Sequence, residues 1–183
     1  MGFLRKIRIY FGQRSLLADS LKVVRIKKPI NITNATTIGI IYHLSSEEEY
    51  NSVSYFTKKL QEQGKKVHVM GLYESSRIPV YYIPKLSYDL ILLKDIDLFY
   101  RPKGKFVEEF IQSDFDILID LSSPDNFTLN YIAVLSKASF KVGRKIDDRS
   151  LPYDIMIDAG PEVKSQELIE QVVHYTNNMK FDQ

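Results

Sequence analysis

The segment Phe115–Leu121, which reads FDILIDL, narrows the choice of fold more than any other part of this chain. As a strand, this segment is apolar on both faces, because Ile117 and Ile119 lie on one face and Leu118 lies on the other. A strand that is apolar on both faces has to be covered on both faces, which is typical of a central strand in a parallel sheet. The segment Tyr153–Ala159, which reads YDIMIDA, has the same pattern and is interpreted as a second central strand.

A strand, a helix and a second strand follow one another between residues 37 and 73. Thr37–Tyr42 (TIGIIY) is rich in β-branched residues and predicts the first strand. Ser45 or Ser46 is placed to cap the next helix, because a glutamate follows each of them at the spacing of a capping box. Gly64 suits the end of that helix, and Lys66–Tyr73 (KVHVMGLY) predicts the second strand. This unit predicts two parallel strands joined by a right-handed crossover.

The rest of the chain alternates in the same way. Helices are predicted over residues 106–111, 126–137 and 162–179, and short strands over 88–93, 97–101 and 140–143. The alternation predicts an α/β fold, a Rossmann-like three-layer domain with a mostly parallel sheet, over residues 35–183. Residues 1–34 are predicted to form a basic helical arm and a linker, because Pro29 closes the helical spacing before it.

The charge is distributed unevenly along the chain. Residues 1–30 contain eight basic residues and one acidic residue, a net charge of +7, whereas the remaining residues carry a net charge of −5. A concentrated basic surplus favours polyanions and acidic partners. We therefore predict that Arg5, Lys6, Arg8 and Arg14 contact RNA, a ribonucleoprotein or an acidic protein. The alternative is a basic helix that packs on its own domain.

Two further partners stay open for the same arm. Phe3, Leu4, Ile7 and Phe11 fall on one side of a helix that also carries basic residues, which suits a peripheral membrane contact. We rank this contact below a polyanionic partner. Association of the chain with a second copy of itself is the other alternative.

The composition excludes several classes of protein. The chain has no cysteine, which removes disulfide scaffolds, cysteine-ligated metals and thiol chemistry. Its longest stretch without charged side chains, residues 29–46, carries too many polar residues for a membrane-spanning helix. Basic residues near the N-terminus interrupt the apolar core that a signal peptide needs. We therefore expect an unexported, cytoplasmic protein.

The loop after the first strand argues against nucleotide binding. A phosphate-binding loop needs closely spaced glycines, and neither of the common glycine-rich motifs occurs in this chain. The next helix begins with Glu47, Glu48 and Glu49, which stabilise the helix dipole but repel a phosphate. No cofactor is predicted.

The loop Asp120–Asn126 is the most polar of the predicted strand ends. Ligands of open α/β sheets bind outside the carboxyl ends of the strands. Asp120, Ser122, Ser123 and Asn126 are therefore candidate ligand-binding residues. The alternative is that Ser123 only caps the next helix, with the proline after it as the first helical residue.

No catalytic or metal-binding residue is predicted. The serines of this loop lack the G-x-S-x-G pattern of a nucleophile elbow, and the three histidines have no partners at metal-ligand spacing. Asp158 ends the last strand, and it could share a cation with Asp120 if the two strand ends met at one sheet edge. We lean towards a binding protein rather than an enzyme.

The stretch from Phe115 to Gly143 resembles part of the acceptor-side, N-terminal domain of heptosyltransferase-type glycosyltransferases. A strand that ends in I-D, a helix that ends in an L-S-x-A phrase and a short strand that ends in glycine occur in the same order. The resemblance implies a small-ligand-binding or glycosyltransferase-like half-domain that uses the loop of residues 120–126. Those enzymes bind the nucleotide sugar in a second domain for which this chain has no room, and no catalytic residue carries over.

A longer resemblance runs from the basic N-terminal helix through NATTIGIIYH and FDILIDLS to FKVG. These phrases are similar to an uncharacterised family of Bacteroidota proteins, which implies a single α/β domain and no assigned activity. The leading prediction is a cytoplasmic binding or adaptor domain whose basic arm contacts a polyanionic or acidic partner.

Overall fold

Residues 3–123, 125–145, 152–160 and 163–179 are described in the computed structural model of the chain. The helices are α1 (Phe3–Ser20), α2 (Glu47–Glu62), α3 (Lys105–Gln112), α4 (Phe127–Leu135) and α5 (Ser165–Asn178). The strands are β1 (Thr37–His43), β2 (Lys66–Leu72), β3 (Tyr88–Ile91), β4 (Ile117–Asp120), β5 (Phe140–Arg144) and β6 (Ile155–Ile157). A short 3-10 helix spans Leu93–Asp95.

The strands form one sheet with the order β3-β2-β1-β4-β5-β6, and every pairing among them is parallel. This is the strand order of a Rossmann fold, so the predicted α/β, Rossmann-like class is confirmed. The order reverses between β1 and β4, where Ile41 pairs with Asp120. In sheets of this type the ligand crevice lies outside the carboxyl ends of the strands at this reversal.

Two apolar layers cover the sheet. On one face, Ile117 and Ile119 pack in the cluster that α2 and α5 complete. On the other face, Leu118 packs with residues of α3 and α4. Every residue of β4 is buried, which confirms the prediction of a central strand within Phe115–Leu121.

The prediction that Tyr153–Ala159 forms a central strand is wrong, because β6 lies at the edge of the sheet. β6 pairs with β5, and the Met156 side chain is about half exposed. The apolar pattern correctly indicates that Ile155 and Ile157 are buried, but it cannot show whether another strand lies alongside. An edge strand has one neighbouring strand and a central strand has two. The residues of the strand itself do not encode this number.

The ends of α2 follow the sequence closely. Ser46 Oγ accepts a hydrogen bond from the Glu49 N–H at 3.2 Å and closes the first turn, as predicted. Gly64 follows the helix with a φ of 80°, which side chains other than glycine rarely adopt. The crossover from β1 to β2 is therefore specified by local residues at both ends of its helix.

The prediction of a strand over residues 88–93 is confirmed for Tyr88–Ile91, whereas Leu93 already belongs to the 3-10 helix. The prediction of a strand over residues 97–101 is wrong. The Asp97 carboxylate accepts hydrogen bonds from the backbone N–H groups of Phe99 and Arg101 at 2.8 and 3.0 Å. It also accepts one from the Arg101 side chain at 2.7 Å. These bonds close a turn in which Tyr100 has a φ of 61°, so the backbone cannot extend.

α1 packs against α4 and is held there along one face. A Cβ at Gly12 would lie 2.4 Å from the carbonyl oxygen of Phe99 and 2.8 Å from the ring of Phe127. The Tyr131 hydroxyl donates a hydrogen bond to Asp19 at 3.1 Å. The close approach of the two helices therefore requires a residue without a side chain at position 12.

Candidate functional site

Asp120 lies at the reversal of the strand order and is turned into the protein. Its Oδ1 accepts a hydrogen bond from the Ser122 N–H at 2.8 Å, and its Oδ2 accepts one from the Tyr153 hydroxyl at 2.5 Å. Burial raises the pKa of the Asp120 carboxyl and that of the Tyr153 hydroxyl. The Tyr153 ring covers Gly143, where a Cβ would lie 2.6 Å from it. Both oxygens of the candidate acid are thus engaged within the chain.

The other three residues predicted for this loop have separate roles. Asn126 is the N-cap of α4, because its Oδ1 accepts the Leu129 N–H at 3.1 Å. The prediction that Ser123 is the cap is wrong: its carbonyl first accepts the Asn126 N–H at 3.0 Å, in a turn before the helix. Pro124, predicted as the first helical residue, lies outside the described residues. Ser122 is buried beside the acid, whereas Ser123 faces solvent.

Arg144, at the end of β5, is a buried cation that the sequence analysis did not identify. Its guanidinium donates hydrogen bonds to the carbonyl of Gly160 at 2.9 Å and to that of Val163. Its Nε is buried and has no hydrogen-bond partner among the described residues. Burial lowers the pKa of Arg144. The single arginine that follows FKVG in the sequence does not indicate that its side chain will bind the carbonyls of Gly160 and Val163.

The two strand-end acids considered as cation ligands lie apart. β5 lies between β4, which ends at Asp120, and β6, which Asp158 follows. The Asp158 carboxylate is exposed and accepts a hydrogen bond from Lys145 Nζ at 2.9 Å, while Asp120 is buried. Within the described ranges, no group of three or more metal-ligating side chains occurs. The geometry does not bring these carboxylates together on a shared ion.

A groove of about 1080 Å³ runs between α2 and α5. Its apolar lining includes Phe56, Leu60, Ile169 and Val173, and acidic and amide side chains surround them. The two helices lie far apart in the sequence, so no local pattern marks this groove. Their apolar stripes are explained by packing on the sheet, which makes the groove a consequence of the fold.

Arg25, a cation of the arm, forms an ion pair with the domain and is therefore not available to a partner. Its guanidinium donates hydrogen bonds to both carboxylate oxygens of Asp154 at 2.7 Å and to the carbonyl of Ala138 at 3.2 Å. Burial alone would raise the pKa of Asp154, but the hydrogen bonds from Arg25 lower it. Lys27 Nζ lies 3.2 Å from the same carboxylate. This part of the basic surplus holds the linker to the sheet.

Three of the four residues predicted to bind a polyanion face solvent. Lys6, Arg8 and Arg14 are exposed. The ion pairs found among the described residues do not include them. The Arg5 guanidinium lies 5.6 Å from the centre of the Tyr100 ring, a cation–π contact that keeps it against the domain. α1 therefore packs on its own domain along one face and presents cations on the rest of its surface.

The chain belongs to a family of unknown function (DUF6913), whose profile matches residues 9–179. The match includes most of α1 and all the strands of the sheet. No curated protein matches the chain.

Proposed function

We propose that this member of a family of unknown function is a cytoplasmic binding or adaptor domain that attaches to a negatively charged partner through α1. One observation carries the proposal: Lys6, Arg8 and Arg14 are exposed on a helix that is fixed to the domain at Gly12. Because the helix is already docked, less conformational entropy is lost on binding than with a free arm.

The charge distribution supports the same surface. Residues 1–30 carry a net charge of +7 and the remaining residues −5, so long-range attraction to a polyanion comes mainly from the arm. The count overstates the available charge, since Arg25 is paired with Asp154 and Lys22 lies 3.0 Å from Asp19. The exposed cations of α1 remain for a partner.

Elution from immobilised heparin tests the proposal. The variant that combines Lys6→Gln, Arg8→Gln and Arg14→Gln is expected to elute at lower salt than the wild type, because each lost phosphate or sulfate contact reduces the salt dependence of binding. The matched control combines Lys66→Gln, Arg77→Gln and Lys94→Gln, which removes three exposed cations outside α1. Equal shifts in both variants, or no retention of the wild type, would contradict the proposal.

The crevice outside the carboxyl ends of β1 and β4 is a second candidate site, because the strand order reverses between these two strands. The resemblance of residues 115–143 to a glycosyltransferase half-domain supports a small-ligand role for the loop of residues 120–126. Thermal shift against nucleotide sugars and sugar phosphates tests it, with Ser122→Ala and Ser123→Ala as variants. Stabilisation that both variants retain would place the ligand elsewhere.

A further inference from the structure

α1 exposes an apolar face on the side turned away from the domain. Five of its large apolar side chains are at least 38% exposed, namely Leu4, Ile7, Tyr10, Phe11 and Leu17. At the spacing of an α-helix they span an arc of about 140°, and Gly12 lies outside this arc. The side chain of Phe3, which the sequence also assigned to this face, lies outside the described residues.

Apolar side chains are also exposed in the linker that follows α1. Val24 and Ile26 are each more than 80% exposed. They flank Arg25, whose side chain donates a hydrogen bond to Asp154. The ring of Phe99 lies 6.1 Å from that of Phe11 and adds to the face of the helix.

The cations lie beside and within this apolar arc. Lys6 and Arg8 fall on its two flanks, and Arg14 falls inside it between the positions of Ile7 and Tyr10. A side chain of this length can carry its charge out of an apolar surface while its methylene groups stay in it. The one acidic residue of the helix, Asp19, is engaged by Lys22 and Tyr131 on the docked side.

We propose that the outward face of α1 docks on an anionic lipid surface, an inference that rests on the proposed function and names its partner. Apolar side chains at the centre of a face and cations on its flanks match the acyl boundary and the phosphate headgroups of a membrane. The helix lies in the plane of the surface, because it carries too many cations to cross it. Among the described helices, none is long and apolar enough to span a bilayer.

The same face suits the two competing partners less well. An RNA phosphate backbone pairs with Lys6, Arg8 and Arg14, and its bases can stack on aromatic rings, but it offers nothing to exposed aliphatic side chains such as Leu17. In a symmetric dimer each copy presents the same patch to the other, so the two arms would bring their like charges together. An anionic lipid surface satisfies both the apolar and the basic groups.

Co-sedimentation of the full chain with lipid vesicles tests the assignment. Vesicles of phosphatidylcholine with about a third phosphatidylserine are compared with pure phosphatidylcholine at about 0.1 M salt. We expect the wild type to bind the anionic vesicles and not the neutral ones. Combining Ile7→Ser with Phe11→Ser should weaken binding by about tenfold to a hundredfold, because two apolar side chains leave the interface.

Two further variants separate the apolar contribution from the electrostatic one. Combining Val80→Ser with Leu86→Ser removes two fully exposed apolar side chains outside α1 and should leave binding unchanged. Combining Arg8→Gln with Arg14→Gln should weaken binding by about tenfold or more at low salt. Arg8, Arg14, Val80 and Leu86 are exposed, so their variants should unfold at the wild-type midpoint. Ile7 is only 38% exposed and the Phe11 ring lies 6.1 Å from that of Phe99, so vesicle binding of that variant is measured below its own unfolding midpoint.

The same samples are tested with single-stranded oligouridylate and by analytical ultracentrifugation. Binding to RNA but not to anionic vesicles overturns the lipid assignment and leaves the proposed function standing. Binding to neither overturns the lipid assignment, and together with no retention of the wild type on heparin it overturns the proposed function as well. Vesicle binding that is insensitive to Ile7→Ser with Phe11→Ser also overturns the docking of the apolar face. A dimer that the same variant abolishes assigns the face to a second copy and overturns the lipid proposal.

Discussion

Gly12 determines how closely α1 can approach the rest of the molecule. The nearest atom to a Cβ at this position would be a backbone oxygen, that of Phe99, which cannot rotate away as a side chain can. Glycine is otherwise unfavourable within a helix, by about 1 kcal/mol relative to alanine. Its presence in the middle of α1 is therefore explained by the contact with the domain and not by the helix itself.

Gly12→Ala is expected to reduce the free energy of unfolding by about 1–3 kcal/mol, because overpacking outweighs the gain in helix propensity. Urea unfolding followed by circular dichroism measures the change. Gly160→Ala is the control, since a Cβ at that position has no atom within 4 Å among the described residues other than its chain neighbours. Stabilisation by Gly12→Ala would show that α1 does not dock as described.

Lys141 is a buried cation under the last turn of α4. Its ammonium donates hydrogen bonds to the carbonyls of Ala133 at 2.7 Å and Val134 at 3.2 Å. Burial, with a smaller contribution from the nearby Arg25, lowers the pKa of Lys141 to about 7. In the unfolded chain the same group titrates near its ordinary value, about 10.4.

Lys141→Met is expected to change the pH dependence of stability. Between pH 7 and about pH 10 the unfolded wild type binds a proton that the folded chain does not, so the contribution of Lys141 to the unfolding free energy rises with pH. The difference in unfolding free energy between wild type and variant should therefore shift in favour of the wild type from pH 7 to about pH 9. Lys137→Met, at an exposed position, should show no such shift. A pH-independent difference for Lys141→Met would contradict the assignment.

At the scale of the elements, local signals and neighbours contribute differently. The sequence was sufficient for α2, since Ser46 and Gly64 act within a few residues of themselves. It was sufficient for β4, since a strand buried on both faces is apolar on both faces. It could not place the edge of the sheet, or show that Asp97 would turn the chain at residues 97–101. The position of a strand in the sheet depends on its partner strands. The turn at residues 97–101 depends on which polar group accepts a hydrogen bond from each backbone N–H.

The candidate site shows the same limit. The sequence located the polar loop at a strand end, because strand ends can be read from the apolar runs. That this strand end lies at the reversal of strand order is shown only by the structure. It could not show that Asp120 is covered by Tyr153, or that Arg144 is buried near the next strand end. Serine and asparagine can both cap a helix, so the choice of Asn126 over Ser123 depends on the turn that precedes α4.

Substitutions can test which residue caps α4. Asn126→Ala is expected to reduce the free energy of unfolding by about 1 kcal/mol, because the Leu129 N–H loses its acceptor. Ser123→Ala should change it by less than about 0.5 kcal/mol, since the serine is exposed and only its backbone carbonyl is used. Equal effects in chemical denaturation would indicate that both residues cap α4.

In the molecule as a whole, the arm is attached to the domain through α1 and, separately, through the linker that follows it. α1 is docked on α4, and the linker is fixed where Arg25 meets Asp154 and where the Lys28 N–H donates to the carbonyl of Ser139 at 3.1 Å. The exposed face of α1 is therefore positioned by both contacts. The ion pair between Arg25 and Asp154 is largely buried. It contributes to the stability of the fold mainly because the Asp154 carboxylate would otherwise be buried without a partner.

Arg25→Gln is expected to cost about 3 kcal/mol of unfolding free energy, because the Asp154 carboxylate would lose its bidentate partner. Lys27 stays near the same carboxylate and limits the loss. Lys22→Gln, which breaks an exposed pair with Asp19, should cost less than about 1 kcal/mol. Urea unfolding of both variants provides the comparison, and equal stabilities would contradict the attachment of the linker at this point.

The docking of α1 on α4 has a consequence for the order of events during synthesis. α1 ends at Ser20, whereas the surface that receives it includes Phe99 and is completed by Phe127 and Tyr131. At ordinary rates of translation, roughly ten seconds separate the appearance of these two parts of the chain. During that interval the face of α1 that later docks on the domain is as accessible as the face that stays exposed. An anionic surface near the ribosome would meet the helix before the domain does.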